Sequence, residues 1–253
     1  MSAWALSRWQ AAGLHLLICL AIAAAVLTLM LALWYPRPLF EAAGGNDLLF
    51  IVLGVDVTVG PLLTLVVYKA GKPGMKFDLA VIAVLQLTAL AYGCNVVALA
   101  RPAFIVFVKD RFELATPVDL EAAELAAARY PEFRASPWGG PMLAAADLPT
   151  DPDEHKKLID LALAGFDLQN FPRYWVPYAE RTKEVLAKAD TIARLRVTDP
   201  VTAKAVDEYL AASGTKEETV RSLLLRTRFA WVAVLVDAKT AQPVKMVLGE
   251  RIN

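Results

Sequence analysis

Two cysteines and two histidines are all that 253 residues offer in thiol and imidazole, and that scarcity excludes much chemistry at once. Both cysteines, Cys19 and Cys94, fall inside apolar stretches, so no disulfide framework staples the charge-rich part of the chain. His15 lies in the first apolar run, and His155 stands beside Glu154 and Lys156, where a solvated helix face accounts for it. The spaced Cys/His sets of zinc sites are missing, as are G-x-S-x-G, the phosphate-cradling P-loop and G-x-G-x-x-G. No catalytic residue, metal or cofactor is expected, and the chain reads as a non-enzyme. An excess of either charge is also lacking: 26 Lys/Arg balance 26 Asp/Glu, which leaves no electrostatic reason to expect nucleic acid.

What the chain has in quantity is apolar residue, 57% of the total with a mean hydropathy of +0.45. That is too much for an ordinary soluble domain of this size. Charge is concentrated instead of spread, with 5 Lys/Arg and 4 Asp/Glu in residues 1–100 against 21 and 22 in residues 101–253. The first hundred residues therefore read as a transmembrane region and the remainder as one water-soluble domain.

Ala11 to Tyr35 carries no Asp, Glu, Lys or Arg over 25 positions, more than the ~20 a helix needs to cross the hydrocarbon core. It ends in Trp34-Tyr35-Pro36, an interfacial aromatic pair and a helix stop, which favours a retained span over a cleaved signal peptide. Residues 48–68 and 79–100 read as a second and a third span. The turn between them carries Lys69, Lys72 and Lys76, so the positive-inside rule makes it cytoplasmic. Arg8 agrees. The N-terminus is then inside, and residues 101–253 lie outside the cytoplasm.

Asp56 is the costly residue, since a carboxylate near mid-membrane costs ~3 kcal/mol on insertion scales and must face protein or water. Counting ~1.5 Å per residue from the outer ends places Tyr92 at its depth, and Thr88, Tyr92 and Asn95 share one helical face. These four form a candidate intramembrane polar cluster that glues spans together, receives a cation or a polar group from a partner helix, or serves a proton or ion pathway, for which one carboxylate without an Arg or Lys partner in the other spans is a poor relay. Pro61 after Gly60 predicts a kink beside it.

In the soluble part, Ala103–Val108 and Arg111–Ala115 read as a hairpin. Helices are expected at 118–129, 153–165, 178–189, 200–212 and 215–223, the last opened by Thr215 with Glu218 as a capping box. Residues 130–152, with five prolines and Gly139-Gly140, read as loop, and a closing hairpin pairs 225–236 with 243–248. The expected fold class is thus a membrane protein of three transmembrane α-helices followed by an α+β extracytoplasmic domain with a small antiparallel sheet. Arg173, Tyr174, Trp175 and Tyr178 form the one aromatic cluster of the soluble part, either a recognition surface or a core plug. Asp110, Glu113, Arg226 and Arg228 are the set that a membrane-bound enzyme would need to bring together. A ligand-binding sensor or adaptor would instead open an apolar pocket near Trp175 and Trp231.

The order of Gly54-Val-Asp-Val-Thr-Val-Gly-Pro-Leu-Leu-Thr64, Val67-Tyr-Lys-Ala-Gly-Lys72, Phe77-Asp-Leu79, Gln86, Ala91-Tyr-Gly93 and Arg101-Pro-Ala-Phe-Ile-Val-Phe107 resembles the type IV pilin accessory family TfpX/TfpZ. The likeness covers residues 47–115 best, with Gly165-Phe-Asp167 and Pro172 to Tyr178 as looser echoes. The resemblance implies a multi-pass bacterial inner-membrane protein with a periplasmic domain, working beside a cognate major type IV pilin in pilus biogenesis. Other inner-membrane pilus assembly proteins and membrane lipid are its further implied partners.

Overall fold

The computed structural model describes residues 6–251, with backbone alone for 47–53 and 251. Ser7 opens the first helix, α1 (Arg8–Leu29), through a capping box: its hydroxyl accepts from the Gln10 N–H while the Gln10 side chain accepts from the Ser7 N–H. A π-helical turn, Met30–Trp34, continues it. A short helix α2 (Leu39–Ala42), then α3 (Gly45–Val67) and α4 (Met75–Ala100), complete the first hundred residues.

Among the described residues two helices, Arg8–Trp34 and Met75–Ala100, are long and apolar enough to cross a membrane, which corrects the expected count of three. In the middle helix the apolar stretch among the described residues is Gly54–Val67. The chain is a multi-span membrane protein on the strength of the other two.

The chain divides into two compact units, Met1–Ala32 with Gly45–Leu99, and Leu33–Gly44 with Ala100–Asn253. Leu33–Gly44, expected to be the end of the first span, as far as Tyr35, and part of the loop at 36–47, belongs to the second unit.

The soluble unit contains one seven-stranded mixed sheet, and the expected small antiparallel sheet is corrected accordingly. Its strands are β1 (Phe104–Val108), β2 (Arg111–Ala115), β3 (Met142–Ala146), β4 (Trp175–Pro177), β5 (Val220–Arg226), β6 (Ala230–Asp237) and β7 (Pro243–Arg251), in the order β4-β3-β1-β2-β5-β6-β7. The hairpins β1/β2, β5/β6 and β6/β7 are antiparallel, as local connections demand. Two parallel pairings, β1 with β3 and β2 with β5, merge them into one sheet. These need long crossovers, so hairpin signals alone undercount the strands.

Helices α5 (Ala122–Ala126), α6 (Pro152–Leu163), α7 (Thr182–Lys188), α8 (Ile192–Thr198) and α9 (Pro200–Ser213) cover the sheet. Every residue of β1 is buried, because both faces are covered. Ile105 and Phe107 join Phe112, Leu225, Val232 and Val234 on one face, together with Leu39, Ala42 and Val185. Phe104, Val106 and Val108 point the other way, toward Leu120, Phe133, Leu158 and Trp175. Farther along, Ala233 and Leu235 meet α8 and α9 through Ile192, Leu195, Val206 and Leu210.

Candidate functional sites

In the membrane unit, α1 packs closely along α3, and His15 Nδ1 lies 2.6 Å from Thr64 Oγ1. From α4, Gln86 reaches across and donates through Nε2 to the Asp56 carbonyl at 3.1 Å, with Cys19 Sγ at 3.7 Å. Two sequence features make that approach geometrically open. Gly60 leaves the space, since a Cβ there would overlap the Gln86 amide. Pro61 supplies no N–H and loosens the same turn of α3.

Beside this contact is a cavity of about 220 Å³, lined by His15, Ile18 and Cys19 of α1, Asp56 of α3, and Gln86 and Leu90 of α4 among others. The lining positions of α1 and α4 fall around the middle of the two membrane helices. Polar satisfaction is incomplete there. Gln86 Oε1 is buried without a hydrogen-bond partner, and among the described residues the Asp56 carboxylate has no hydrogen bond or ion pair. Both vacant groups accept, so the site suits a donor or a cation carried on an apolar body. The volume is below the ~300–1,000 Å³ of sites for drug-sized ligands and fits side chains better.

The other expected members of the intramembrane cluster lie elsewhere. Thr88 donates to Val84 O of its own helix at 2.8 Å. Tyr92 is 72% exposed, Asn95 is exposed, and neither bonds to Asp56. Gln86, His15, Cys19 and Thr64 were not expected at this site, although an amide in an apolar span, the signal that pointed to Asn95, was equally legible for the first.

In the soluble unit the segment 173–178 divides by burial. Trp175 is fully buried against Phe104 and Phe133, ring centroids 4.8 and 5.7 Å away, and its Nε1–H donates to Leu168 O at 2.9 Å. The Tyr178 hydroxyl donates to Ala241 O at 2.6 Å, and burial pushes its phenol up to about 12. These two are core. Arg173 stays at the surface in a two-bond pair with Glu124, whose carboxylate holds the guanidinium above its ordinary value, and Tyr174 is half-buried beside it.

Arg173 and Tyr174 are shared by two adjoining depressions. One, of about 80 Å³, is lined by Glu124, Glu154, Lys157 and Leu158; the other, of about 390 Å³, opens toward Arg129, Asp147 and Thr150. This mixed-charge groove is the candidate recognition surface of the domain.

The set that an enzyme would need does not converge. Glu113 and Arg226 face each other in register, 3.0 Å apart, and burial raises the Glu113 carboxyl against the lowering effect of Arg226. Asp110 pairs instead with its neighbour Arg111, and Arg228 stacks on Phe229.

The Tyr178 shift has a pH consequence. The folded state keeps the phenol protonated to about pH 12, whereas an unfolded tyrosine ionises near pH 10. Between those values the native state binds more protons, so its contribution to stability is complete below about pH 10 and is lost as pH rises toward 12. Thermal melts of the wild type and Tyr178→Phe across pH 9–12 are expected to converge, with the variant less stable at neutral pH and less sensitive to alkali.

Together these features define a multi-span membrane protein with a mainly apolar cavity bordered by Asp56 and Gln86, and an αβ domain into which the 33–44 segment is packed. The chain belongs to the fimbrial assembly proteins. Residues 4–44, which include α1 and that segment, match the family model described as fimbrial assembly protein FimB. The fimbrial assembly protein of serogroup I from Dichelobacter nodosus is 34% identical over 184 residues, 72% of this chain and 71% of the relative. The serogroup E1 protein of the same organism is 33% identical over 184 residues, with the same shares. The protein of serogroups C1 and C2 is 35% identical over 115 residues, 45% of this chain and 88% of the relative. No solved structure matches the chain.

Proposed function

We propose that this chain is a pilin accessory protein of the TfpX/TfpZ kind, which holds a type IV pilin subunit in the inner membrane by non-catalytic binding before or during pilus assembly. Family membership supports a role in fimbrial assembly. The observation that carries the finer reading is the Asp56 carboxylate at the mid-span cavity, unpaired among the described residues, beside the unpaired Gln86 Oε1. A pilin awaits assembly through an apolar N-terminal helix bearing a free amine and a buried glutamate. Its amine is the complementary donor, and its aliphatic side chains suit the volume.

The domain is assigned to the periplasm. Arg8 stands at the start of α1 and Lys72 and Lys76 flank the start of α4, while both helices run into segments of the soluble unit. The positive charges near that far side are engaged by the protein itself: Lys109 with Asp167, Arg111 with Asp110, and Arg101 beside two tryptophan rings. The Arg173–Tyr174 groove is then available to the pilin head or to another assembly protein.

Asp56→Asn tests the reading, because binding and structural glue differ in sign. A carboxylate without a partner destabilises its own helices, so its removal leaves the membrane unit as stable or more stable. Pilin recovered with the purified variant is expected to fall about tenfold, corresponding to ~1.4 kcal/mol of lost affinity. Full recovery with a well-folded variant removes Asp56 from the interface.

A further inference from the structure

Trp138 is 76% exposed, a rare position for the largest side chain, and its backbone is firmly held. The Trp34 Nε1–H donates to the Trp138 carbonyl at 3.0 Å, and the two rings lie 6.4 Å apart at 37°. Arg101, only 6% exposed, places its guanidinium 5.8 Å from the Trp34 ring and 5.5 Å from the Trp138 ring, and donates to the adjacent Pro137 carbonyl at 2.7 Å. The exposure is therefore built in and does not arise from a loosely tethered loop.

What these partners are fixes where Trp138 stands. Trp34 is the last residue of the first membrane helix, and Arg101 is the first residue after the second. A ring in contact with both lies at the level where the chain leaves the hydrocarbon. Tryptophan is enriched there because an indole combines an apolar body with an N–H that wants water or headgroup oxygen. Trp9, 71% exposed near the start of α1, occupies the equivalent position at the other end of that helix.

We propose that Trp138 is a lipid-interface anchor of the soluble domain, with its indole seated at the boundary of headgroups and acyl chains in the leaflet from which α1 and α4 emerge. The surface is formed by the 134–141 loop, and its partner is the bilayer. Because Arg101 couples Trp138 to both helix exits, the anchor fixes the lipid depth of that edge of the domain without any contact to pilin.

The test uses the full-length protein in nanodiscs of phosphatidylcholine with either ordinary or brominated acyl chains. The difference in emission between wild type and Trp138→Phe isolates the indole, and phenylalanine keeps a ring over Arg101. Brominated lipid is expected to reduce that component at least twofold, while aqueous acrylamide barely changes it. A component insensitive to bromine and quenched by acrylamide overturns the proposal.

A nitroxide on Gly139→Cys, in a chain with Cys19 and Cys94 replaced by alanine, checks the result with Trp138 intact. Gly139 has open space around it and needs no unusual backbone angle. Its ratio of oxygen to nickel-complex accessibility is expected to exceed that of a label at Val197, 81% exposed, several-fold. Equal ratios contradict a seated loop.

Discussion

Leu39→Ala is expected to destabilise the soluble domain by about 3 kcal/mol, as much as a substitution in a central strand, although residue 39 lies more than sixty positions before the first strand. Leu39 and Ala42 are fully buried against Phe112, Val232 and Val234. The backbone is committed as well: the Ala42 carbonyl accepts from Thr227 Oγ1 at 2.7 Å and from the Phe229 N–H at 3.3 Å. At Gly44 the positive φ of 77° and the Phe229 ring packed against the α-carbon leave no room for a side chain. Thermal unfolding of the full chain, followed by near-UV circular dichroism, checks the result. A loss under about 0.5 kcal/mol, the range of ordinary surface substitutions, is incompatible with a core role. The same packing predicts that a fragment beginning at residue 101 is less stable than the domain in the whole chain.

Trp175→Ala has the larger expected effect, about 4 kcal/mol, because it empties the space between Phe104 and Phe133 and leaves the Leu168 carbonyl unpaired. Arg173→Ala, two residues away, breaks an ion pair whose arginine is exposed and whose Glu124 is buried, and is worth less, about 2 kcal/mol. The contrast separates a core plug from a recognition surface within one six-residue segment. Equal, small losses for both variants, read in the same melts, are the contrary result.

The two long apolar helices, the lysine turn, the first hairpin, α6 and α9 were legible because each is a local pattern. The third strand was not. Its sequence, Met-Leu-Ala-Ala-Ala, lacks β-branched residues and follows Gly139-Gly140-Pro141, so it reads as loop until β1 pairs with it in parallel. The capping-box pattern at Thr215 and Glu218 pointed to a helix, yet only a 3-10 turn forms at Glu217–Thr219 before β5 begins, since Val220, Ser222 and Leu223 are needed in the sheet core. At the membrane site, depth counted along the helices matched Asp56 with Tyr92 but could not fix rotation about the α4 axis. Gln86 is the residue turned toward α3, and the absence of a side chain at Gly60 is what admits it.

The central claim, capture of a pilin helix at the cavity beside Asp56 and Gln86, is tested most directly by photocrosslinking in native membranes. A photoreactive residue is placed at Leu90, which lines the cavity, and in a second chain at Tyr92, which is exposed. The account predicts a pilin adduct, identified by mass spectrometry, that is strong from position 90 and lost when Asp56→Asn is added. Adducts confined to this chain itself, or a pilin adduct indifferent to Asp56, contradict it.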